Sequence, residues 1–328
     1  MADYKNIKGF NIQYLDSDPP NPIEGQMWFN STSQTLKGAE AGGAPAGTWA
    51  SGGSLNTGRY AGAGFGTQTA GLAFAGIPSP GFTELYNGSA WTEVNDLNTG
   101  RVALSGFGTT TAGLAMGGEA PSNVSNVESW DGTNWTEITD IPAATRSMSA
   151  FGIQTSGIIA GGKVPSVTAN AYSWNGTSWT AISSLGQSRS DAMASGTSSS
   201  NGILAGGETP PATTYGNVES WNGSAWTELN DLNQARAYGG SATNSSNNGM
   251  LVFGGSPSAA TPFFANTEFF DGTSWTEVND LATARRSGAK AGASTSSALY
   301  AGGYSTVTHS ATEEWTAPDI LVKTFTTS

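Results

Sequence analysis

A pair of aromatic residues, usually two tryptophans, recurs along this chain around an Asp-Gly or Asn-Gly step. The stretch "VESWDGTNWTEITD" (Val127 to Asp140) nearly repeats as "VESWNGSAWTELND" (Val218 to Asp231). The second tryptophan recurs at intervals of 44, 44, 47 and 49 residues, as Trp91, Trp135, Trp179, Trp226 and Trp275. Self-similarity with a period of roughly 40 to 50 residues is typical of propellers and solenoids. The sequence therefore predicts a repeat array.

Each repeat contains four segments with strand character. The Asp-Gly or Asn-Gly step predicts a two-residue hairpin turn between the third and fourth strands, because this pair adopts the positive φ of a type I′ turn. The second strand is a short apolar run that ends in small residues, such as "GLAMGG" ending at Gly118. The first strand follows an arginine, as in "LNTGRVALSGFG" from Leu97 to Gly108. Each repeat therefore predicts one four-stranded antiparallel sheet.

The number of strands indicates a closed ring. The chain contains six first, six second and six third strands, but only five hairpin-linked fourth strands. "GTWASGGSLNTGRY" (Gly47 to Tyr60) resembles "SAWTEVNDLNTGRV" (Ser89 to Val102) without a preceding strand. We therefore expect an amino-terminal strand around Trp49 to complete the last sheet, beside the strand that ends at Trp315. The segment "DILVKTFTTS" (Asp319 to Ser328) is a competing candidate for that strand. The predicted fold is all-β, a six-bladed β-propeller with four antiparallel strands per blade.

The apolar run, the diglycine, the spaced aromatic pair and the arginine together resemble the kelch repeat over about residues 47 to 316. The first copy has Ala75-Gly76 in place of the diglycine, and the first aromatic is usually Trp where the family usually has Tyr. The resemblance implies a kelch-like propeller. Because kelch propellers serve both as binding modules and as enzyme scaffolds, it leaves the function open.

The first 46 residues form a separate element with too few apolar residues for a core of their own. They contain a predicted short hairpin, and "DPPNPIEGQMWFNSTSQTLKG" (Asp18 to Gly38) resembles the leader of appendage and fibre proteins of tailed phages, especially marine ones. The resemblance implies attachment to other virion proteins. The predicted organisation is an attachment segment at 1–46, a propeller at 47–316 and an extended carboxy-terminal tail at 317–328.

Composition excludes several functions. Because the chain has 25 acidic and 13 basic residues, the net charge is −12. The sequence has no basic stripe that could bind a nucleic acid. The chain has no cysteine and a single histidine, His309, so we expect no metal or other cofactor. The amino terminus lacks a continuous apolar run, so we expect no signal peptide and no membrane insertion. The expected location is the exterior of a virion, after synthesis in the host cytoplasm.

Arginines that precede the first strands are the first candidate binding residues: Arg59, Arg101, Arg146, Arg189, Arg236 and Arg285. They could line the mouth of the central channel and bind a carboxylate or an acidic sugar. Alternatively, they could form structural ion pairs across the preceding loops. The candidate partners lie five or six residues before four of them, as Asp96, Asp140, Asp231 and Asp280.

Loops between the second and third strands are the other candidate site. They vary in length and are rich in Pro, Ser and Thr, and binding residues concentrate on loops held by a rigid scaffold. The two longest, Glu208 to Gly216 and Ser256 to Ala265, carry Tyr215, Phe263 and Phe264, whose rings could stack on sugars. The alternative is that Phe263 and Phe264 only pack the loop.

The predicted function is that of a non-enzymatic phage virion protein, a tail or capsid fibre whose propeller binds a host-surface glycan or protein. The alternative is a purely structural decoration protein. A glycan-cleaving propeller is the third hypothesis, because "DGTNW" resembles the Asp-box of sialidases, which are also six-bladed propellers. In that box, however, a residue separates Asp from Gly, and no acid pair for glycoside hydrolysis stands out from the repeats. No catalytic residue is therefore predicted.

Overall fold

The computed structural model describes residues 12–19, 25–41, 47–211, 213–242, 249–257, 261–318 and 320–325. Every regular element in this part of the chain is a β-strand. The sequence repeats form four-stranded antiparallel sheets, which we call repeat sheets 1 to 6. A separate amino-terminal sheet and two short ribbons complete the described strands.

The strands are numbered in chain order. The amino-terminal region contains β1 (Gln13–Leu15), β2 (Met27–Asn30), β3 (Thr35–Ala41) and β4 (Thr48–Gly52). Repeat sheet 1 contains β5 (Ala63–Gly66), β6 (Gly71–Phe74), β7 (Thr83–Tyr86) and β8 (Trp91–Val94). Repeat sheet 2 contains β9 (Ser105–Thr109), β10 (Ala112–Met116), β11 (Val127–Trp130) and β12 (Trp135–Ile138). Repeat sheet 3 contains β13 (Ser149–Ile153), β14 (Ser156–Ala160), β17 (Ala171–Trp174) and β18 (Trp179–Ile182), with the ribbon β15 (Lys163–Val164) and β16 (Ser166–Val167) in its loop.

The second half repeats this order. Repeat sheet 4 contains β19 (Met193–Ser198), β20 (Asn201–Ala205), β23 (Val218–Trp221) and β24 (Trp226–Leu229), with the ribbon β21 (Glu208–Thr209) and β22 (Thr213–Thr214). Repeat sheet 5 contains β25 (Gly240–Ser241), β26 (Met250–Phe253), β27 (Thr267–Phe270) and β28 (Trp275–Val278). Repeat sheet 6 contains β29 (Ala289–Ser294), β30 (Ser297–Ala301) and β31 (Thr312–Thr316), to which β4 is added. The last strand is β32 (Ile320–Phe325).

A ring of backbone hydrogen bonds joins the six repeat sheets. It runs through one residue of each repeat, and we call it the backbone ring. This residue stands two positions after Arg59, Arg101, Arg189, Arg236 and Arg285, and directly after Arg146. Each member donates its N–H to the carbonyl of the member in the preceding repeat over 2.8 to 2.9 Å, and all six have φ between +52° and +61°. The members are Ala61, Ala103, Ser147, Asp191, Tyr238 and Ser287. Because the Ala61 N–H donates to Ser287, the series returns to its start. The first strands contact one another in the same cyclic order, so the chain is a β-propeller.

The second tryptophan of each motif joins neighbouring sheets. Trp135 is 5% exposed, and its ring centroid lies 5.1 Å from that of Phe74 and 6.4 Å from that of Phe65, both in repeat sheet 1. Its indole N–H donates to Thr83 Oγ1 over 3.2 Å. Burial of a side chain of this size contributes about 3 kcal/mol, so the repeated tryptophans account for much of the packing between sheets.

The turns within the motif differ from the sequence prediction. Trp130 lies opposite Trp135, and the Asp131 N–H donates to the Asn134 carbonyl over 3.2 Å, so the turn is centred on Gly132 and Thr133; only Gly132 has a positive φ there. The Asp131 carboxylate accepts hydrogen bonds from the N–H groups of Thr133 and Asn134, at 2.8 and 2.7 Å. The predicted type I′ turn is therefore wrong, because the first position acts as an Asx acceptor and does not adopt positive φ.

The amino-terminal strand β4 pairs with β31, which places Trp49 opposite Trp315. The Trp49 indole N–H donates to Thr267 Oγ1 over 2.9 Å, as that of Trp91 does to Thr312 Oγ1 over 3.0 Å. Trp49 thus has the contacts of the repeated second tryptophan. The competing candidate, the carboxy-terminal segment, is wrong for this position because β32 pairs with β3 instead.

The amino-terminal sheet has the order β1-β2-β3-β32, with β1 parallel to β2 and the other pairs antiparallel. Asp18 fixes one side of it, accepting hydrogen bonds from Trp28 Nε1, Asn30 Nδ2 and Lys37 Nζ at 3.0, 2.8 and 2.6 Å. The Lys37 ammonium, then the Asn30 and Trp28 N–H groups, lower the pKa of Asp18 to about 2. Within the predicted tail at 317–328, residues 320–325 form a strand of this sheet.

Candidate functional site

Five of the six predicted arginines belong to the core. Arg59, Arg101, Arg189, Arg236 and Arg285 are at most 2% exposed. Each forms an ion pair with a glutamate on the third strand of its own repeat sheet, respectively Glu84, Glu128, Glu219, Glu268 and Glu313. Because their guanidinium groups are enclosed by protein, they cannot contact an external ligand. The ligand-binding interpretation of these five arginines is therefore corrected to the structural one.

The predicted aspartate partners of the arginines are also wrong. Asp96 and Asp280 accept hydrogen bonds from the backbone N–H groups of Thr83 and Thr267, at 3.2 and 3.3 Å, and thereby hold the start of a third strand. The true partners could have been identified from the sequence, because a glutamate stands two residues before the first aromatic of the motif in these repeats, as in "VESW".

Repeat sheet 3 is the exception in this network. In repeat sheet 2, Arg101 stands four residues after the buried Leu97. The matching apolar residue in repeat sheet 3 is Ile141, and the residue four positions after it is Thr145, which is 6% exposed. The glutamate position of this repeat holds Tyr172, so both members of the ion pair are replaced together. A small cavity of about 10 Å³ lies between Thr145 and Tyr172.

Arg146 is therefore one residue beyond the buried position. It is about one-third exposed and forms an ion pair with Glu119. The prediction that Arg146 is equivalent to the other five arginines is wrong. Arg286 occupies the same later position in repeat sheet 6, and sequence reasoning missed it because Arg285 precedes it.

The channel mouth is formed by three positions in each repeat. These are the first and second residues after the arginine position and the residue after the diglycine, and a backbone bridge pairs the first with the third, as in Arg146 with Lys163. The side chains at these positions differ from repeat to repeat: Tyr60, Ala61 and Ile77; Val102, Ala103 and Glu119; Arg146, Ser147 and Lys163; Ser190, Asp191 and Glu208; Ala237, Tyr238 and Ser256; Arg286, Ser287 and Tyr304. A constant frame thus carries variable side chains, which is typical of a binding surface.

One half of the mouth is charged and internally paired. Lys163 Nζ lies 3.1 Å from Asp191 Oδ2 and 3.5 Å from Glu208 Oε1. Tyr238 Oη donates to Glu208 Oε1 over 2.5 Å. Burial, followed by the negative charge of Asp191 and the contact with Glu208, raises the pKa of Tyr238 well above its usual range. Tyr238 is therefore a neutral hydrogen-bond donor.

The other half of the mouth is aromatic and surrounds Arg286. The Arg286 Cζ atom lies 4.9 Å from the ring centroid of Tyr238, 5.8 Å from that of Tyr304 and 6.0 Å from that of Phe263. Tyr60 extends this wall, with its centroid 4.9 Å from that of Tyr304. Within the described residues, Arg286 has no carboxylate at ion-pair distance, and its buried Nε–H has no acceptor. The group is thus a half-buried cation with an unsatisfied Nε–H and no carboxylate partner among the described residues.

The three aromatic residues predicted to bind ligand separate in the structure. Phe263 lies in the wall around Arg286. Phe264 is only 8% exposed and packs against the Arg236 guanidinium at 5.6 Å, so its predicted binding role is corrected to packing. Tyr215 is half-buried, and its hydroxyl accepts from Gln187 Nε2 and donates to Thr209 Oγ1, at 3.1 and 3.2 Å. Its contacts are those of a residue that supports the loop.

The cavities at this face include the central channel and a cleft beside the mouth. The central channel has a cavity of about 250 Å³, lined by the backbone ring and by small residues of the first strands, with Lys290 among them. An open cleft of about 860 Å³ lies beside the mouth, between Pro165 and Pro211, with Tyr238 at its inner end.

No group of three or more residues suited to hold a metal ion is present in the described ranges. Within those same ranges, no helix has the length and apolar character required to cross a membrane.

No protein-family model matches the sequence, and no curated protein sequence matches it. In three dimensions, the chain is similar to a solved structure described as that of YjhT, with 13% sequence identity and a TM-score of 0.66. The similarity covers 82% of this chain and 99% of the other. At this level of identity the likeness concerns the fold alone and supports the assignment as a propeller.

Proposed function

We propose that this protein is a phage virion appendage whose propeller binds a host-surface ligand at the channel mouth, without catalysis. The propeller has six blades, formed by the six repeat sheets, and its last blade is closed by β4. The cyclic backbone ring supports this blade number, because its six members belong to six successive repeats. The pairing of Trp49 with Trp315 supports the closure.

The observation that carries the binding proposal is the state of Arg286. The six other arginines each have a carboxylate partner, whereas Arg286 is enclosed by three aromatic rings and has none among the described residues. An accessible guanidinium attracts a carboxylate, sulfate or phosphate group, and flanking rings favour the flat face of a sugar or an aromatic side chain. The ligand is therefore an anionic glycan or an acidic peptide segment on the host surface.

Attachment to the virion occurs through the amino-terminal segment, residues 1–46. The leader resemblance of Asp18 to Gly38 supports this assignment, as does the separation of the amino-terminal sheet from the six repeat sheets. If the propeller only covers or spaces other virion proteins, the protein is a decoration protein instead. That alternative predicts no affinity for the host surface.

Binding of purified protein to host cells and to an array of anionic glycans tests the proposal. Arg286→Met should weaken binding by about 10-fold or more, because a hydrogen bond to a charged group contributes about 1.5 to 3 kcal/mol. Lys37→Met is the matched control, since it removes the same charge from the amino-terminal sheet. Equal binding by both variants, or no binding by the unmodified protein, would refute the assignment of the mouth.

A specific contact favours glycan cleavage as a second candidate function. The Tyr238 hydroxyl and the Glu208 carboxylate, 2.5 Å apart, have the geometry of a nucleophile and its base. The raised pKa of Tyr238 weighs against it, since a reactive phenolate would be rare at neutral pH. Release of reducing sugar from host polysaccharide, abolished by Tyr238→Phe without loss of binding, would favour the enzyme.

A further inference from the structure

The central channel contains one charged side chain at the level of the first strands. The fifth residue after the arginine position is small in five of the repeats: Gly64, Gly106, Ala150, Ala194 and Ser241. In repeat sheet 6 this position holds Lys290, which lines the channel cavity. A lysine here places an ammonium group below the mouth, and the one carboxylate lining the same cavity, that of Asp191, is already paired with Lys163.

The partners of the Lys290 ammonium leave it unbalanced. Its Nζ donates to Ser241 Oγ over 3.2 Å, and Ser241 Oγ in turn donates to the carbonyl of Ala194 over 2.7 Å. An ammonium has three N–H donors, and the described residues provide no carboxylate for it. Burial alone lowers the pKa of Lys290 to about 8, so near neutral pH most of the group is still charged.

An uncompensated ammonium in a cavity recruits an anion, because removing a charge from water without a partner is costly. The cavity volume of about 250 Å³ holds a small ion with its water. We propose that Lys290 forms a binding site for a small monovalent inorganic anion, such as a halide, inside the central channel.

The position of the site suggests a structural role for the ion. Lys290 belongs to β29 and reaches Ser241 in β25, so an anion on Lys290 lies beside the junction of repeat sheets 5 and 6. The bound anion is therefore expected to stabilise the contact between these two sheets.

Thermal unfolding in different salts tests the site on the full chain. In sodium bromide or chloride the Tm should exceed that in sodium gluconate at equal ionic strength, and the increase should saturate with halide concentration. Lys290→Met should abolish this difference and should raise the Tm in gluconate, because it removes an uncompensated charge. Lys37→Met is the control: it removes the same charge from the amino-terminal sheet and does not line the channel cavity, so the halide response should persist in this variant.

Crystals soaked in bromide give an independent measurement. An anomalous-scattering peak within hydrogen-bond reach of Lys290 Nζ is expected. The proposal is overturned if the channel holds no such peak, or if Lys290→Met retains the full halide response. Because the crystal experiment uses the unmodified protein, it decides the matter even if the variant fails to fold. Neither result depends on the ligand proposed for the mouth, since Arg286 is unchanged in both experiments.

Discussion

Replacing Arg101 is expected to destabilise the propeller strongly, because the Glu128 carboxylate is then buried without its partner. The side chains of Arg101 and Glu128 are both fully buried, and Nη1 lies 2.5 Å from Oε1. Arg101 also donates to the carbonyls of Thr99, Gly117 and Ala115, at 2.7, 2.8 and 3.3 Å. Removing one partner of a buried ion pair costs about 3 to 5 kcal/mol. Since the lost carbonyl contacts add to this cost, we expect Arg101→Thr to lower the free energy of unfolding by about 5 kcal/mol.

The chain itself contains the compensating solution. Repeat sheet 3 holds Thr145 and Tyr172 where the other repeats hold arginine and glutamate. Transferring both residues, as Arg101→Thr with Glu128→Tyr, leaves no buried charge and fills part of the vacated volume. The double variant should therefore be more stable than Arg101→Thr alone. The coupling free energy between the two sites should be about 2 kcal/mol or more.

Equilibrium unfolding in urea, followed by tryptophan fluorescence, measures these differences for both single variants and the double variant. Arg146→Met is the control, because its ion pair with Glu119 is about one-third exposed and such pairs contribute about 0 to 1 kcal/mol. If the two single changes simply add, the buried pair is not an energetic unit. If Arg146→Met costs as much as Arg101→Thr, burial is not the cause.

Three further predictions concern the closing strand, the mouth and the amino-terminal sheet. A chain that starts at Gly53 lacks β4 and should lose cooperative unfolding in calorimetry. A chain that starts at Gly47 should keep its Tm within about a few degrees but fail to enter virions. An intact Tm in the shorter chain would contradict the role of Trp49. Phe264→Ser should lower the free energy of unfolding by about 3 kcal/mol or more, while Phe263→Ser should leave the Tm unchanged and weaken host binding. A lower Tm for Phe263→Ser and weaker binding for Phe264→Ser would contradict the packing role of Phe264 and the binding role of Phe263. The pKa of Asp18 is lowered to about 2 from 3.8, so its contribution to the stability of the amino-terminal sheet is present above about pH 4 and is lost as the pH falls towards 2. Hydrogen exchange in residues 27–41 should become faster over that pH range. Asp18→Asn should remove this pH dependence.

The repeat frame was accessible from the sequence because each of its contacts recurs. Trp49 could be placed beside Trp315 since "LNTGR" follows it as it follows Trp91. The arginine partners were misassigned because proximity along the chain favoured Asp96, whereas the sheet brings Glu128 across from the third strand. Arg146 was misplaced by one residue because the arginine itself was matched, and not its spacing from the preceding apolar residue.

The channel mouth could not be predicted in the same way. Arg286 acquires its surroundings from Tyr238 and Phe263 in the neighbouring repeat and from Tyr304 across a backbone bridge. These contacts depend on the rotation between successive sheets, which no single repeat encodes. The variable residues after each diglycine were a usable signal, since they interrupt an otherwise regular pattern.

The two chain segments that form the closing pair of repeat sheet 6, β4 and β31, are neighbours along the chain of a second pair, β3 and β32. A pull on the amino end of β4 along its own axis acts on the ring in shear. In that geometry all five residue pairs between β4 and β31 bear the load together, and they do not open one after another. Under the proposed attachment through the amino-terminal sheet, the closing strand would consequently withstand a larger force than the same five pairs loaded one at a time.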